Sequence, residues 1–181
     1  MNDLLGKDAV DVVGYLLDKY KVKEFRYRAY IRKTNDAFDE EVVANDLNDL
    51  EKIYEKYKAK DPRYLISFQS KVLIPDGYRH FPMLDFSNST VKGLNLGQVK
   101  NLLRQLGETN GFILDSGRCF HYYGNRLMTE DDWVSFMKIC AQYPEIGETY
   151  ISNQLRRGMA SLRIVEDDSK PKNPTVIELL N

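Results

Sequence analysis

Leu4, Leu5, Val10, Val13, Leu16, Leu17 and Tyr20 recur at helical spacing while Asp3, Lys7 and Asp11 fall on the other side, which predicts an amphipathic helix over the first twenty residues. At 22–33 the period drops to two. Phe25, Tyr27, Ala29 and Ile31 alternate with Arg26, Arg28 and Arg32, predicting a strand with one apolar and one basic face. Behind the cap-type residues Asn35 and Asp36, the apolar positions Phe38, Val42, Val43, Leu47, Leu50, Ile53 and Tyr57 predict a long helix with an acidic outer face.

Pro62 ends that stretch, and 64–74 (YLISFQSKVLI) reads as a strand. A turn at Pro75, Asp76 and Gly77 then leads into the short apolar run FPMLDF at 81–86, so a β-hairpin is expected there. From Asn95 to Leu106 the inward positions Leu96, Val99, Leu102, Leu103 and Leu106 predict a helix, closed by Gly107. GFILD at 111–115 and CFHYY at 119–123 flank Ser116, Gly117 and Arg118 and predict a second hairpin. Thr129 caps a helix carrying Trp133, Phe136, Met137 and Cys140, which stops near Pro144. A short polar segment is expected next, then strands near 159–165 and 174–180.

This order predicts an α+β fold with an RRM-like mixed sheet of parallel and antiparallel strands and helices mainly on one face. A chain of 181 residues fits a single domain, with residues 1–60 as a helix-strand-helix extension packed on a core at about 64–178. Hydrophobic residues at 43% and charged residues at 29%, with 12 Tyr and 8 Phe, are globular composition.

Charge narrows the function. With 26 Lys and Arg against 27 Asp and Glu, no overall basic coat exists for nucleic acid or a membrane surface, so any basic site must be local. The opening residues mix acids with short apolar runs, unlike a secretory leader, and no stretch is long enough to span a bilayer, so a cytoplasmic protein is expected. Cys119 and Cys140 are too far apart for a CxxC pair and too few for a disulfide framework or a four-ligand zinc site, and read as reduced thiols.

Candidate chemistry concentrates at Asp115-Ser116-Gly117-Arg118-Cys119-Phe120-His121. There a tight turn offers a hydroxyl, backbone amides and a guanidinium beside a histidine, a composition suited to phosphate oxygens. On its own, His121 reads equally as a hydrogen-bonded histidine packed among Tyr122, Tyr123 and Trp133. Arg156, Arg157 and Arg163, next to Gly158, read as a phosphate clamp or as ordinary solvated charges. Arg26, Arg28 and Arg32 read as part of a nucleic-acid groove or as partners of the acids at 39–55. No GxSxG elbow, Walker lysine motif or HExxH is present, and His80 and His121 do not form paired HxT motifs.

SGRCFH resembles the SGxGxH element of the archaeo-eukaryotic primase and primase-polymerase superfamily, which follows a strand with an acidic motif; MLDF matches that strand in kind and order. QLRRGMASLRI at 154–164, with KPKNPTVI after it, is similar to a segment of bacterial primase-like proteins, and the resemblance spans about residues 64–178. It implies an RRM-like sheet binding a nucleoside triphosphate with Mg or Mn. By motif, Asp85 becomes the metal-facing carboxylate and Ser116, Gly117, Arg118 and His121 the phosphate side, with Arg157 and Arg163 as further nucleotide contacts.

Two departures bear on catalysis. The family's acid-x-acid motif reads Asp85-Phe86-Ser87, which removes one carboxylate from a chemistry that holds two ions with several oxyanion ligands. The third acid falls to Glu148 or to Asp167 and Asp168. Cys119 also stands where the turn normally has glycine, and a structural thiol is the expected explanation. Three functions follow: a metal-dependent nucleotidyltransferase acting with DNA or RNA, a degenerate relative that binds nucleotide or nucleic acid without turnover, and an interaction domain with no nucleotide response. The partner protein is not named by the sequence.

Overall fold

The computed structural model describes residues 2–31, 39–86, 93–117, 119–165 and 172–181. The first helix, α1 (Ala9–Lys19), begins at a capping box in which the Asp8 carboxylate accepts from the amides of Val10 and Asp11, and it buries Ala9, Val12, Val13, Leu16 and Leu17. Strand β1 (Phe25–Tyr30) alternates as its sequence predicts, with Phe25, Tyr27 and Ala29 buried and Arg26, Arg28 and Tyr30 on the other face.

The next segment differs from the expected long helix. Residues Glu40–Ala44 form strand β2, paired antiparallel to β1 with Phe25 opposite Ala44, and helix α2 starts only at Asp49 and runs to Lys60. Adjacent β-branched Val42 and Val43 favour an extended backbone, and the free edge of β1 supplies hydrogen bonds that outweigh the helical spacing of the apolar residues. Asn35, Asp36 and Phe38 lie outside the described residues.

The run 64–74 is two strands, β3 (Leu65–Gln69) and β4 (Lys71–Ile74), separated at Ser70. The Ser70 amide donates to the Ala160 carbonyl at 2.8 Å and its Oγ accepts the Ala160 amide at 2.9 Å, while its carbonyl accepts from the Phe81 amide, so the chain changes sheets at that residue. The hairpin partner of β4 is β5 (Gly77–His80), not the 81–86 run; that run supplies β6 (Met83–Phe86), which belongs to another sheet. The expected helix α3 (Leu96–Gln105) begins at a capping box formed by Asn95 and Gln98. Strands β7 (Gly111–Asp115) and β8 (Phe120–Gly124) form the expected hairpin, and Thr129 caps α4 (Glu130–Cys140). The polar segment after Pro144 folds as a helix, α5 (Glu148–Arg157), before β9 (Ser161–Arg163) and β10 (Thr175–Leu180).

The fold is α+β, as the element order predicts. Its strands form two four-stranded sheets, β2-β1-β3-β9 and β10-β7-β8-β6, plus the β4-β5 ribbon. Every pairing among these strands is antiparallel, where a mixed sheet was expected. The reason lies in the connections. The long excursion between β3 and β9 passes through the second sheet and returns in the opposite sense, so it never acts as a parallel crossover. Within the first sixty residues, β1 and β2 join the first sheet through β3. Side chains from both sheets and all five helices join one buried apolar cluster.

One face of the first sheet escapes that cluster. Register places Arg28 opposite Ser67, Ser67 opposite Arg163 and Gln69 opposite Ser161, so one side of the first sheet is polar. β3 is nevertheless buried at every position. Its polar side is covered because it turns toward the second sheet, and that juxtaposition creates the site. No helix among the described residues is long and apolar enough to cross a membrane.

Candidate functional site

Asp85 on β6 and His121 on β8 stand directly opposite each other in the strand register, which puts both side chains on the same sheet face. Nε2 of His121 lies 3.7 Å from Oδ1 of Asp85. The histidine is 3% exposed, whereas the aspartate is partly open to solvent. The same register adds Tyr123 and Met83 on one side and Leu114 on the other. Burial pushes the Tyr123 phenol far above its ordinary range; the charge of Arg163 opposes the rise and that of Asp85 adds to it. One buried hydroxyl thus feels groups from both sheets.

The turn between β7 and β8 is closed by its own hydrogen bonds. The Ser116 amide donates to the Cys119 carbonyl at 3.0 Å, and Ser116 Oγ donates to the same carbonyl at 2.9 Å. The Gly117 amide donates to the Asp115 carboxylate at 2.7 Å. Gly117 has φ +93°, a backbone state that favours glycine and explains its place in the turn. Arg118 lies outside the described residues.

Cys119, read from the sequence as a structural thiol, lies beside the Asp85–His121 pair. Its thiol donates to Asp85 Oδ1 at 3.4 Å and sits 3.0 Å from Ser116 Oγ. A potential ligand atom from each of Asp85, Cys119 and His121 lies within 4.8 Å of the others. The available signal was the spacing itself: in a strand, positions 119 and 121 share a face, so a thiol two residues before His121 points where the imidazole points.

The remaining candidates separate. Arg163 is 4% exposed and donates to the carbonyl oxygens of Ser116 at 3.1 Å, Lys172 at 3.3 Å and Val165. It ties the first sheet to the turn. Arg157, at the C-terminal end of α5, and Arg28 both bind Asp39, with the Arg28 contacts at 2.7 and 2.8 Å. Burial alone would raise the Asp39 pKa, but the two guanidiniums outweigh it and hold it below the ordinary value. Arg26 pairs with Glu24 and Glu41. The ion-pair reading of the β1 arginines therefore holds for Arg26 and Arg28, with acids on and beside β2 as partners; Arg32 is outside the described residues. Arg156 is exposed.

Glu148 is exposed in the first turn of α5 and is absent from the Asp85 cluster. The side chain that α5 sends toward β6 is Tyr150, whose hydroxyl donates to the Met83 carbonyl at 2.9 Å. Ser87, Asp167 and Asp168 lie outside the described residues. Trp133 stacks on the other histidine: the His80 ring lies 4.7 Å from it at 20°, with Nε2 3.1 Å from Glu130 and Nδ1 3.2 Å from Ser70 Oγ.

The donor set does not suit the magnesium or manganese pair that the resemblance implies. Hard divalent ions take oxygen ligands, and a two-ion centre needs carboxylates that bridge or flank both ions. Here one carboxylate is grouped with a thiol and an imidazole.

An antiparallel two-sheet α+β domain with an acid and a histidine paired across adjacent strands defines a primase-polymerase-type architecture. The family model for archaeo-eukaryotic primase 1D-like domains matches residues 45–175, and the chain belongs to that family. In structure it is similar to the archaeo-eukaryotic primase domain of the primase-polymerase of cyanophage S-2L, with a TM-score of 0.60 at 10% identity over 93% of this chain and 89% of that one. It is also similar to the catalytic domain of the primase Repb', solved in complex with initiator DNA, with a TM-score of 0.55 at 10% identity over 93% of this chain and 84% of the other. No curated protein matches in sequence.

Proposed function

We propose that the chain is a nucleotide-binding domain of the primase-polymerase type that works alongside DNA or RNA, its ligand phosphates lying over Asp85, His121 and the Ser116–Gly117 turn. The observation that carries this reading is the facing of Asp85 and His121 at 3.7 Å, on the face that meets the polar side of the first sheet. Family membership supports the ligand class. The His121 imidazole and the backbone amides of the turn are the donors offered to phosphate oxygens.

The same geometry favours binding over nucleotidyl transfer. Transfer by two ions needs a second and a third acid beside Asp85, and among the described residues the cluster contains neither. Thermal denaturation with nucleoside triphosphates, with and without manganese, tests the reading: a ligand at 100 times its Kd adds about 2.7 kcal/mol of stability. Stabilisation without manganese, together with no primer extension by the purified chain, is the expected outcome. Metal-dependent stabilisation with extension establishes the transferase alternative, and no response to any triphosphate overturns nucleotide binding altogether.

A further inference from the structure

We infer that Asp85, Cys119 and His121 form a binding site for one thiophilic divalent cation of the zinc type. The inference rests on the same cluster being the ligand-binding centre proposed above, and it names the cation that centre selects.

Geometry comes first. Zinc bonds of about 2.3 Å to sulfur and about 2.0–2.2 Å to nitrogen or oxygen place neighbouring tetrahedral ligands roughly 3.3–3.8 Å apart. Sγ of Cys119 stands 3.4 Å from Oδ1 of Asp85, and that oxygen stands 3.7 Å from Nε2 of His121. Two edges of the tetrahedron are therefore in place, and the third lies within the 4.8 Å spread of the group, which a small side-chain rotation closes. All three residues come from two hydrogen-bonded strands and the turn beside them, a rigid support.

Ligand chemistry gives the selection. A thiolate with an imidazole and a single carboxylate matches zinc or cobalt and is poor for magnesium, which prefers oxygen donors and retains several waters. Binding replaces the proton shared between Cys119 and Asp85: the thiol loses H⁺ to solvent as the sulfur–metal bond forms, and the sulfur keeps its electron pair. Ser116 Oγ lies 3.0 Å from the sulfur, and its one hydroxyl hydrogen, given to the Cys119 carbonyl in the metal-free chain, can turn to the thiolate once the thiol proton is lost. Three protein ligands leave a fourth position open, as in zinc sites that accept water or a ligand oxygen. Asp85 and Cys119 are both partly exposed, so a small ligand can reach the cluster from solvent.

The test is a titration of the full chain, freed of metal with a chelator and then dialysed, with Co²⁺, Zn²⁺ and Mg²⁺ in the absence of nucleotide. The expected result is one Co²⁺ per chain with a near-ultraviolet thiolate-to-cobalt charge-transfer band, displaced by Zn²⁺ and unaffected by Mg²⁺. Cys119→Ser abolishes the band and Cys140→Ala keeps it. Asp85→Asn weakens Zn²⁺ binding by more than the ~10–100-fold that loss of an outer-shell partner costs. Absence of the band in folded wild-type protein, or its survival in Cys119→Ser, overturns the inference. Because nucleotide binding is measured separately in chelator, a chain that binds triphosphate but not cobalt defeats only this inference, and one that binds cobalt but not triphosphate defeats only the proposed function.

Discussion

Arg163 reaches across the junction of the two sheets and donates to the Ser116 carbonyl at 3.1 Å, so the turn beside the candidate site is held from the opposite sheet by a buried charge. The QLRRGMASLRI segment is thus legible in a second way. Its last arginine supports the turn by binding backbone carbonyls, and whatever it offers a phosphate is added to that duty.

Replacing Arg163 by Met keeps most of the stem packing but leaves buried carbonyls unsatisfied. Bonds from a charged donor are worth about 1.5–3 kcal/mol each and an orphaned buried acceptor costs about 1–3 kcal/mol, so Arg163→Met should lower unfolding free energy by about 2–4 kcal/mol. Urea denaturation measures it; a loss below about 0.5 kcal/mol shows that water replaces the guanidinium without cost.

The Arg28–Asp39–Arg157 network joins β1 to the end of α5. Side chains in this group are 12–16% exposed, so solvent screens them less than a surface pair. A double-mutant cycle between Asp39→Ala and Arg157→Ala should return a coupling of about 1–3 kcal/mol, above the ~0.2–1 kcal/mol of exposed pairs. Additive losses show the contact to be incidental.

The expectations that held and those that failed separate on physical grounds. α3 and α4 were legible because their apolar residues keep to one helical face and, for α4, Thr129 caps it; α1 was legible only from Ala9, since Asp8 caps the helix there and the expected start at the first residues does not hold. β2 was not, since Val42 and Val43 fit either spacing and only the neighbouring edge of β1 decides between them. α5 buries little beyond Ile151 and Gln154, so its apolar signal is weak. Its charge signal was readable: Glu148 in the first turn, Arg156 and Arg157 in the last, and Gly158 at φ +69° after them. At the site, motif order pointed to Asp85 and His121, and the two-residue spacing of Cys119 from His121 was the readable sign of the thiol beside them.

His80 should make stability fall as the solution is acidified. Burial lowers its pKa below the ordinary 6.5; facing Glu130 opposes the shift and Lys71 adds to it, and the net direction is down. The unfolded chain therefore binds the proton more readily, so this contribution is complete above about pH 6.5 and is lost as pH drops through the unfolded and then the folded value. Urea melts at pH 7.5 and 5.5 should show a smaller pH-dependent loss in His80→Gln than in the wild type, even though the variant is less stable at both. An equal or larger loss in the variant contradicts the assignment.

The two thiols should react differently. Cys140 is fully buried and burial pushes its pKa up to about 12, whereas Cys119 is only partly covered. Native chain treated with iodoacetamide near pH 8 should carry one adduct, mapped to Cys119 by peptide mass spectrometry, and two in denaturant. Comparable labelling of Cys140 in the native chain shows that α4 opens readily.

The central claim, a nucleotide site on the face shared by Asp85 and His121, is tested most directly by titrating ¹⁵N-labelled chain with a nucleoside triphosphate and following its amide and imidazole resonances. The account expects the Gly117 amide and the His121 ring to move first and to saturate together, with His121→Asn weakening the response. Shifts confined to surfaces remote from β6 and β8, or no shifts at millimolar triphosphate, would contradict it.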